Sequence, residues 1–256
     1  MFETKYPTTW CPGCPNYLIK VSVQKALESL TKQGYKKEDF VIVTDIGCNS
    51  KIYDYLDLSG LYGLHGRAIT TGFGVKVGNP KLNVIVFAGD GATFSEGLDH
   101  FIHACRYNIN ITVLVHDNGV FSLTTGQASP TSEEGFVEKT HPFGVHEQPI
   151  SPIGLALESG ASFVARASAL DHLDTARIIE EAIKHPGFSF IDILQPCTIY
   201  HNFSEFVKKN CYKIQPLSLK EAKEEAEKWK YSPEGKAAIG IFFQKKMKTF
   251  EEKYLK

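Results

Sequence analysis

Leu18, Ile19, Val21, Ala26, Leu27 and Leu30 keep a roughly helical spacing between Asn16 and Gln33, and Gly34 follows as a stop signal. The next segment, FVIVTDIGC (40–48), has no such period. It is a continuous apolar run, the pattern of a strand covered on both faces, ending in Asp45, Gly47 and Cys48. HGRAITTGFGVKVGNP (65–80) returns to small residues on a helical period and closes at Asn79 and Pro80. NVIVFAGDG (83–91) then predicts a second buried strand, SEGLDHFIHACRYN (95–108) a helix and ITVLVHDNG (111–119) a third strand. After a loop over roughly 119–152, rich in Gly, Pro, Ser and Thr, SFVARAS, LDTARIIEEAIKH and FSFIDILQPC read as strand, helix and strand.

Strand and helix alternate throughout, which predicts an α/β fold: a doubly wound, mostly parallel sheet with helices on both faces. Such sheets bind ligands beyond the carboxyl ends of their strands. Here those ends carry Cys48, then Gly89, Asp90 and Gly91, then Asp117 and Asn118, and finally Cys197. The character changes after residue 200. LSLKEAKEEAEKWK (217–230) predicts a charged amphipathic helix, and AAIGIFFQKK (237–246) a short strand or extended segment. The expected organisation is one α/β domain over 1–200 and an extension over 201–256 that packs on the core or on a partner subunit.

Composition narrows the function. The 256 residues are 43% hydrophobic and carry 28 basic against 29 acidic side chains, so there is no basic footprint for nucleic acid. Residues 1–10 are mainly polar and the longest apolar runs fall far short of a membrane span, so the expected location is the cytoplasm. Six cysteines are too few for a disulfide scaffold in a chain of this length. In a reducing compartment, clustered cysteines point to metal binding or redox chemistry.

Two strand ends carry the most specific chemistry. Gly89 and Gly91 let backbone approach a ligand closely, Asp90 offers a hard oxygen, and Asn118 offers another 28 residues later, at the neighbouring strand end. With a helix N-terminus after the first, this set suits Mg²⁺ holding a diphosphate. Its spacing resembles the signature of thiamine diphosphate enzymes, Gly-Asp-Gly followed after about 25 to 30 residues by asparagine. The resemblance implies Asp90, Asn118 and the Val120 carbonyl as metal ligands; Asp117 stands where many members carry a first asparagine.

Cys11 and Cys14, in TTWCPGCPNYLIK, admit three readings. A thioredoxin-type redox pair needs a strand before it, and polar residues precede this one. A structural Cys₄ zinc site would use the same ligands as the third reading, an iron–sulfur cluster on Cys11, Cys14, Cys48 and Cys197.

WCPGCP, DIGCNSK, HGRAITTG, GDGATFSEG, DNGVFSLTTGQASPTS and LQPC occur in an order and spacing that, from about residue 8 to 200, resemble the β subunits of 2-oxoacid:ferredoxin oxidoreductases. IGIFF near the end is similar to that family's tail. Pro15 replaces the usual glycine after the second cysteine, and Ala92 the acidic residue that often follows Gly-Asp-Gly.

The resemblance implies thiamine diphosphate, Mg²⁺ and a 4Fe-4S cluster as cofactors. The implied reaction is oxidative decarboxylation of a 2-oxoacid, pyruvate or 2-oxoglutarate, with coenzyme A as co-substrate and electrons leaving singly to ferredoxin. It also implies an α subunit supplying the glutamate that activates the cofactor, an (αβ)₂ assembly, and a β chain inactive by itself. Cofactor contacts would fall on Gly47, Gly66, Gly89, Asp90, Gly91, Ala92, Asn118, Val120, Leu123 and Thr124. Lys51, His65 and Arg67 become candidates for holding a substrate carboxylate or a phosphate.

Two other classes use part of the pattern. A non-redox thiamine enzyme has no use for four cysteines, and a zinc-stabilised scaffold has none for Asp90 and Asn118. Cys105 reads as a small buried hydrophobe, Cys211 has no partner motif, and His100 and His103 lack an evident third ligand.

Overall fold

The structure is a computed structural model and describes residues 1–229 and 235–255. The first half of the chain supplies α1 (Asn16–Lys32), β1 (Phe40–Thr44), α2 (Ile52–Tyr55), β2 (Ser59–Tyr62), α3 (Ala68–Gly78), β3 (Asn83–Gly89), α4 (Asp90–Phe94), α5 (Leu98–Tyr107) and β4 (Ile111–Asp117). Two short strands, β5 (Val120–Phe121) and β6 (Gln127–Ala128), precede α6 (Pro152–Glu158), β7 (Phe163–Ser168), α7 (His172–Lys184) and β8 (Ser189–Leu194). The remainder contributes α8 (Ser204–Asn210), β9 (Cys211–Lys213), α9 (Leu219–Ala226), β10 (Ala237–Gln244) and α10 (Phe250–Tyr254).

Eight strands form one sheet in the order β2-β1-β3-β4-β8-β7-β10-β9, parallel except where β10 runs against β7. Alternation along β3 shows why its sequence is apolar throughout. Ile85 and Phe87 join a cluster with Ile19, Val23 and Ile178 of α1 and α7, whereas Val84, Val86 and Ala88 join Ile69, Phe101 and Ile153 of α3, α5 and α6 on the other face. Both faces lie under helices, the doubly wound arrangement expected from the apolar runs.

Helix α1 ends beside Gly34, whose φ of +100° continues the chain in the left-handed region. Pro15 sits at the cap before α1 with φ −64°, which its ring favours, so the substitution fits this backbone. The β1 strand stops at Thr44, earlier than its apolar run, because the Asp45 carboxylate accepts from Asn49 Nδ2 and Ser50 Oγ, both at 2.8 Å, and folds the chain back.

Several elements, among them β2, α2, α6 and α8, lie outside the periodic patterns. The exposed edge strand β2 has no alternation, and α2 and α8 are short. Helix α6 begins where a loop is expected to end; Ser151 accepts from Gly154 N at 3.2 Å and Pro152 occupies its first turn, a start signal that was legible. The charged helix appears as α9, Leu219–Ala226, and its expected last residue, Lys230, lies outside the described residues. The extended segment becomes β10, buried along most of its length beside β7. Among the described residues no helix is long and apolar enough to cross a membrane.

Candidate active site

The chain leaves β1 rightward only after visiting the sheet edge as β2, so strand order reverses between β1 and β3. A crevice opens at the carboxyl ends where such a reversal occurs. One cleft there is lined by Gly47, Cys48, His65, Gly89, Asp90, Gly91, Ala92, Asn118, Val120, Leu123 and Thr124. Gly66 lines a small adjoining pocket with Asp45.

Asp90 opens α4 directly after β3 and is buried. Its Oδ2 accepts from Ser129 Oγ at 2.5 Å and Thr131 Oγ1 at 2.9 Å, and its Oδ1 from Asn118 N at 3.5 Å. These donors are neutral, and burial pushes the carboxyl above its ordinary range despite them. A divalent cation would supply the countercharge that this oxygen set leaves unmet. Asn118 orients its amide oxygen by accepting from Val120 N at 3.1 Å, and His201 Nδ1 lies 2.7 Å from the Asn118 carbonyl. A Cβ at Gly91 would stand 2.3 Å from the Phe121 ring, so the close approach there requires glycine. Ala92 is buried in the same turn, and Leu123 and Thr124 project from the turn beyond β5, where Thr124 Oγ1 donates to Gln127 Oε1 at 2.6 Å.

Three separate segments deliver the four thiols. Gly13, at φ +74°, reverses the chain so that Cys14 N donates to Cys11 O at 3.0 Å. Cys48 follows Gly47 in the turn after β1, and Cys197 lies beyond β8, where Tyr200 N donates to its sulfur at 3.4 Å. Burial pushes the Cys14 thiol up to about 11; the Asn16 N–H partly offsets this, and the neighbouring Cys48, Cys197 and Cys11 raise it further. Burial also raises Cys48, against Ser122 and Lys51, which lower it. Cys14 and Cys48, whose ionisation burial and the neighbouring cysteines oppose, would become thiolates when a multivalent cationic centre sits among them. Among the described residues, no three His, Cys, Asp or Glu side chains stand close enough to hold a single metal ion.

The three proposed anion-holding side chains are dispersed. His65 Nδ1 lies 2.9 Å from Glu96 Oε2, with its ring beside Phe121 in the cleft. Arg67 is exposed, and its guanidinium donates to the Glu96 carbonyl at 2.5 Å and the Gly66 carbonyl at 3.2 Å. Lys51 Nζ donates to Thr9 O at 3.2 Å, bracing the N-terminal loop against the Cys48 turn.

Several residues acquire a place only in three dimensions. Trp10 Nε1 donates to Cys48 O at 2.6 Å, and its ring meets Tyr17 and Tyr55 edge-on at 5.2 and 4.7 Å. Ser129 and Thr131 hold Asp90 from the long loop, and Gln195 Oε1 accepts from Asn118 Nδ2 at 3.2 Å. Buried His116 also lines the cleft, with its Nδ1 2.7 Å from Asn16 Oδ1 and, among the described residues, no hydrogen-bond partner at Nε2; burial brings its pKa down to about 3, which leaves a neutral imidazole. The Trp10 position beside Cys11 was visible in the sequence, but the others carry no local signal. Cys105 is fully buried in α5, as its setting in the sequence indicates.

Residues 45–193 match the family model for the thiamine pyrophosphate enzyme C-terminal TPP-binding domain. Over 260 aligned residues the chain is 39% identical to the 2-oxoacid:ferredoxin oxidoreductase subunit beta of Saccharolobus solfataricus, covering 95% of this chain and 84% of that one. It is 36% identical to the 2-oxoglutarate synthase subunit KorB of Archaeoglobus fulgidus, across 96% and 88% of the two chains. Among solved structures, the 2-oxoglutarate:ferredoxin oxidoreductase from Magnetococcus marinus with 2-oxoglutarate, coenzyme A and succinyl-CoA bound superposes with a TM-score of 0.92 at 34% identity, across 98% of this chain and 86% of the other.

Proposed function

Because this chain belongs to the family of 2-oxoacid:ferredoxin oxidoreductase β subunits, we propose that it is the thiamine diphosphate- and cluster-carrying half of an enzyme that oxidatively decarboxylates a 2-oxoacid to an acyl-CoA. The observation that carries this reading is a single cleft lined by Asp90 and Asn118, a metal–diphosphate donor set, and also by Cys48, one of four neighbouring thiols. A non-redox thiamine enzyme would have no reason to set the two so close.

Asp90, Asn118 and the Val120 carbonyl would hold Mg²⁺, with the diphosphate over Gly89 and Gly91. Cys11, Cys14, Cys48 and Cys197 would hold a 4Fe-4S cluster. When bound, thiamine diphosphate supplies the electron sink for decarboxylation and the cluster accepts electrons one at a time. The chain's own side chains keep that region dry and oriented: Ser129 and Thr131 fix the Asp90 carboxylate, His201 fixes the Asn118 turn, and His65 presents an imidazole toward the anionic substrate. Lys51, beside the Cys48 turn, and Arg67, beside Gly66, would add positive charge near the cleft that favours a carboxylate.

An α subunit would complete the active site with a glutamate and part of the substrate pocket, in an (αβ)₂ cytoplasmic assembly served by ferredoxin. Residues 1–200 would carry the catalytic site, and 201–256 would form an extension whose β10 and β9 extend the sheet beyond β7. Bound 2-oxoglutarate and succinyl-CoA in the Magnetococcus structure favour 2-oxoglutarate over pyruvate as substrate here.

The test is anaerobic purification with the α subunit, followed by iron, sulfide and zinc analysis and EPR after addition of each 2-oxoacid with coenzyme A. About four irons and four sulfides per chain, and a signal that appears only with substrate, are expected. Zinc without sulfide would overturn the electron-transfer reading.

A further inference from the structure

The amide group of Asn118 sits between the two proposed cofactor sites, and its surroundings assign every atom of it. Val120 N is a backbone N–H and can only donate, so the Asn118 atom 3.1 Å away is Oδ1. Nδ2 therefore points the other way, toward Gln195 Oε1 at 3.2 Å and Ser122 Oγ at 3.4 Å. Because Gln195 accepts there with its oxygen, its own Nε2 must face outward. It donates toward Cys14 Sγ at 3.9 Å and Pro196 O at 3.3 Å. The Ser122 hydroxyl accepts from Asn118 on the same side and so confirms the direction of that amide.

One backbone N–H thus sets the direction of both the Asn118 and the Gln195 amide groups. Gln195 is 2% exposed, and its own N donates to Asp117 O at 2.8 Å, so neither water nor backbone freedom offers its side chain an easy alternative.

We propose that Gln195 is a positioning residue whose amide forms a hydrogen-bond relay, joining the metal-binding amide of Asn118 to the cluster ligand Cys14. This deepens the function proposed above and rests on it. The relay has two effects. Toward Asn118 it accepts Nδ2–H and so holds Oδ1 toward the bound cation. Toward the sulfur it donates a hydrogen, and donors to cluster sulfurs favour the reduced, more negative state. The state of the cofactor site and the reduction equilibrium of the cluster are then linked through Asn118 without any residue touching both.

Substitutions separate the two effects. Gln195→Glu keeps an oxygen for Asn118 but removes the N–H and places negative charge near Cys14. In the αβ complex it is expected to leave the affinity for thiamine diphosphate with Mg²⁺ within about twofold, while lowering the one-electron reduction constant of the cluster about tenfold, equivalent to about 59 mV. Gln195→Leu removes both contacts and is expected to lower both quantities.

The measurements are an EPR-monitored redox titration and calorimetric binding of thiamine diphosphate with Mg²⁺. An unchanged midpoint in a Gln195→Glu complex that still carries cluster and cofactor would overturn the relay alone. An unsubstituted complex that assembles no cluster would overturn the relay together with the function on which it rests.

Discussion

Trp10 offers a direct test of how the four-thiol region is held. Its indole N–H reaches Cys48 O at 2.6 Å, and its ring packs edge-on against Tyr17 and Tyr55, so one side chain fastens the loop bearing Cys11 and Cys14 to the turn bearing Cys48. Replacement by phenylalanine retains an aromatic ring and removes the hydrogen bond, a net loss of about 0.5–1.5 kcal/mol. Expressed through the stability of the closed thiol set, that is about twofold to about tenfold greater iron loss at a fixed chelator concentration. Replacement by alanine also empties a site only 5% exposed, at about 3–5 kcal/mol. That is a large part of a domain's typical net stability of about 5–15 kcal/mol. The assay is iron released from the anaerobic αβ complex against graded chelator, with thiamine diphosphate binding measured in parallel. Asp90 and Asn118 follow β3 and β4 and take no part in these bonds, so Trp10→Phe is expected to lose iron while keeping cofactor affinity. Retention of iron equal to the unsubstituted complex would refute the reasoning, since the hydrogen bond would then contribute nothing to loop closure.

Burial brings the Asp45 carboxyl up to about 6, against the lowering donors Asn49, Ser50 and Gly89. A raised carboxyl contributes its stability fully below the unfolded-state value near 4 and loses it as pH rises through about 6. Asp45→Asn stays neutral, so it should gain up to about 3 kcal/mol over the parent at pH 7.5 and little at pH 4; urea unfolding with equal differences at both pH values would contradict this. Arg166→Met removes the guanidinium that donates to buried Asp192 at 2.8 Å and covers Trp229 at 4.1 Å, and unfolding should become easier by about 3–5 kcal/mol, with a change below about 1 kcal/mol counting against a buried pair. Gly91→Ala should drive Phe121 into the cleft and weaken thiamine diphosphate binding by about 1–3 kcal/mol in calorimetry. Gly74→Ala, whose Cβ meets nothing within 4 Å in α3, serves as the neutral comparison.

Local chemistry determined a large part of this protein. Apolar runs with no period could be satisfied only by strands covered on both faces, and the helical stripes between them supplied the covers, so the doubly wound sheet was legible from residues 40 to 194. Gly-Asp-Gly and the later asparagine were equally legible, because a parallel sheet brings consecutive strand ends to one edge whatever the intervening lengths. Edge strand β2 escaped because an exposed strand has no inner face to impose alternation, and β10 joined the sheet in antiparallel sense through pairing with β7 that no local pattern encodes.

Tertiary structure alone decided which partners serve those strand ends. Ser129 and Thr131 are separated from Asp90 by 39 and 41 positions, and Gln195 from Asn118 by 77. Hydrogen bonds of that kind depend on distance and direction in space, which residue identity and spacing along a chain do not carry. The sequence named the groups that bear the chemistry, through backbone demands and residue type; the packed sheet decided what holds and orients them, because burial leaves each such group only the partners that the fold brings within reach.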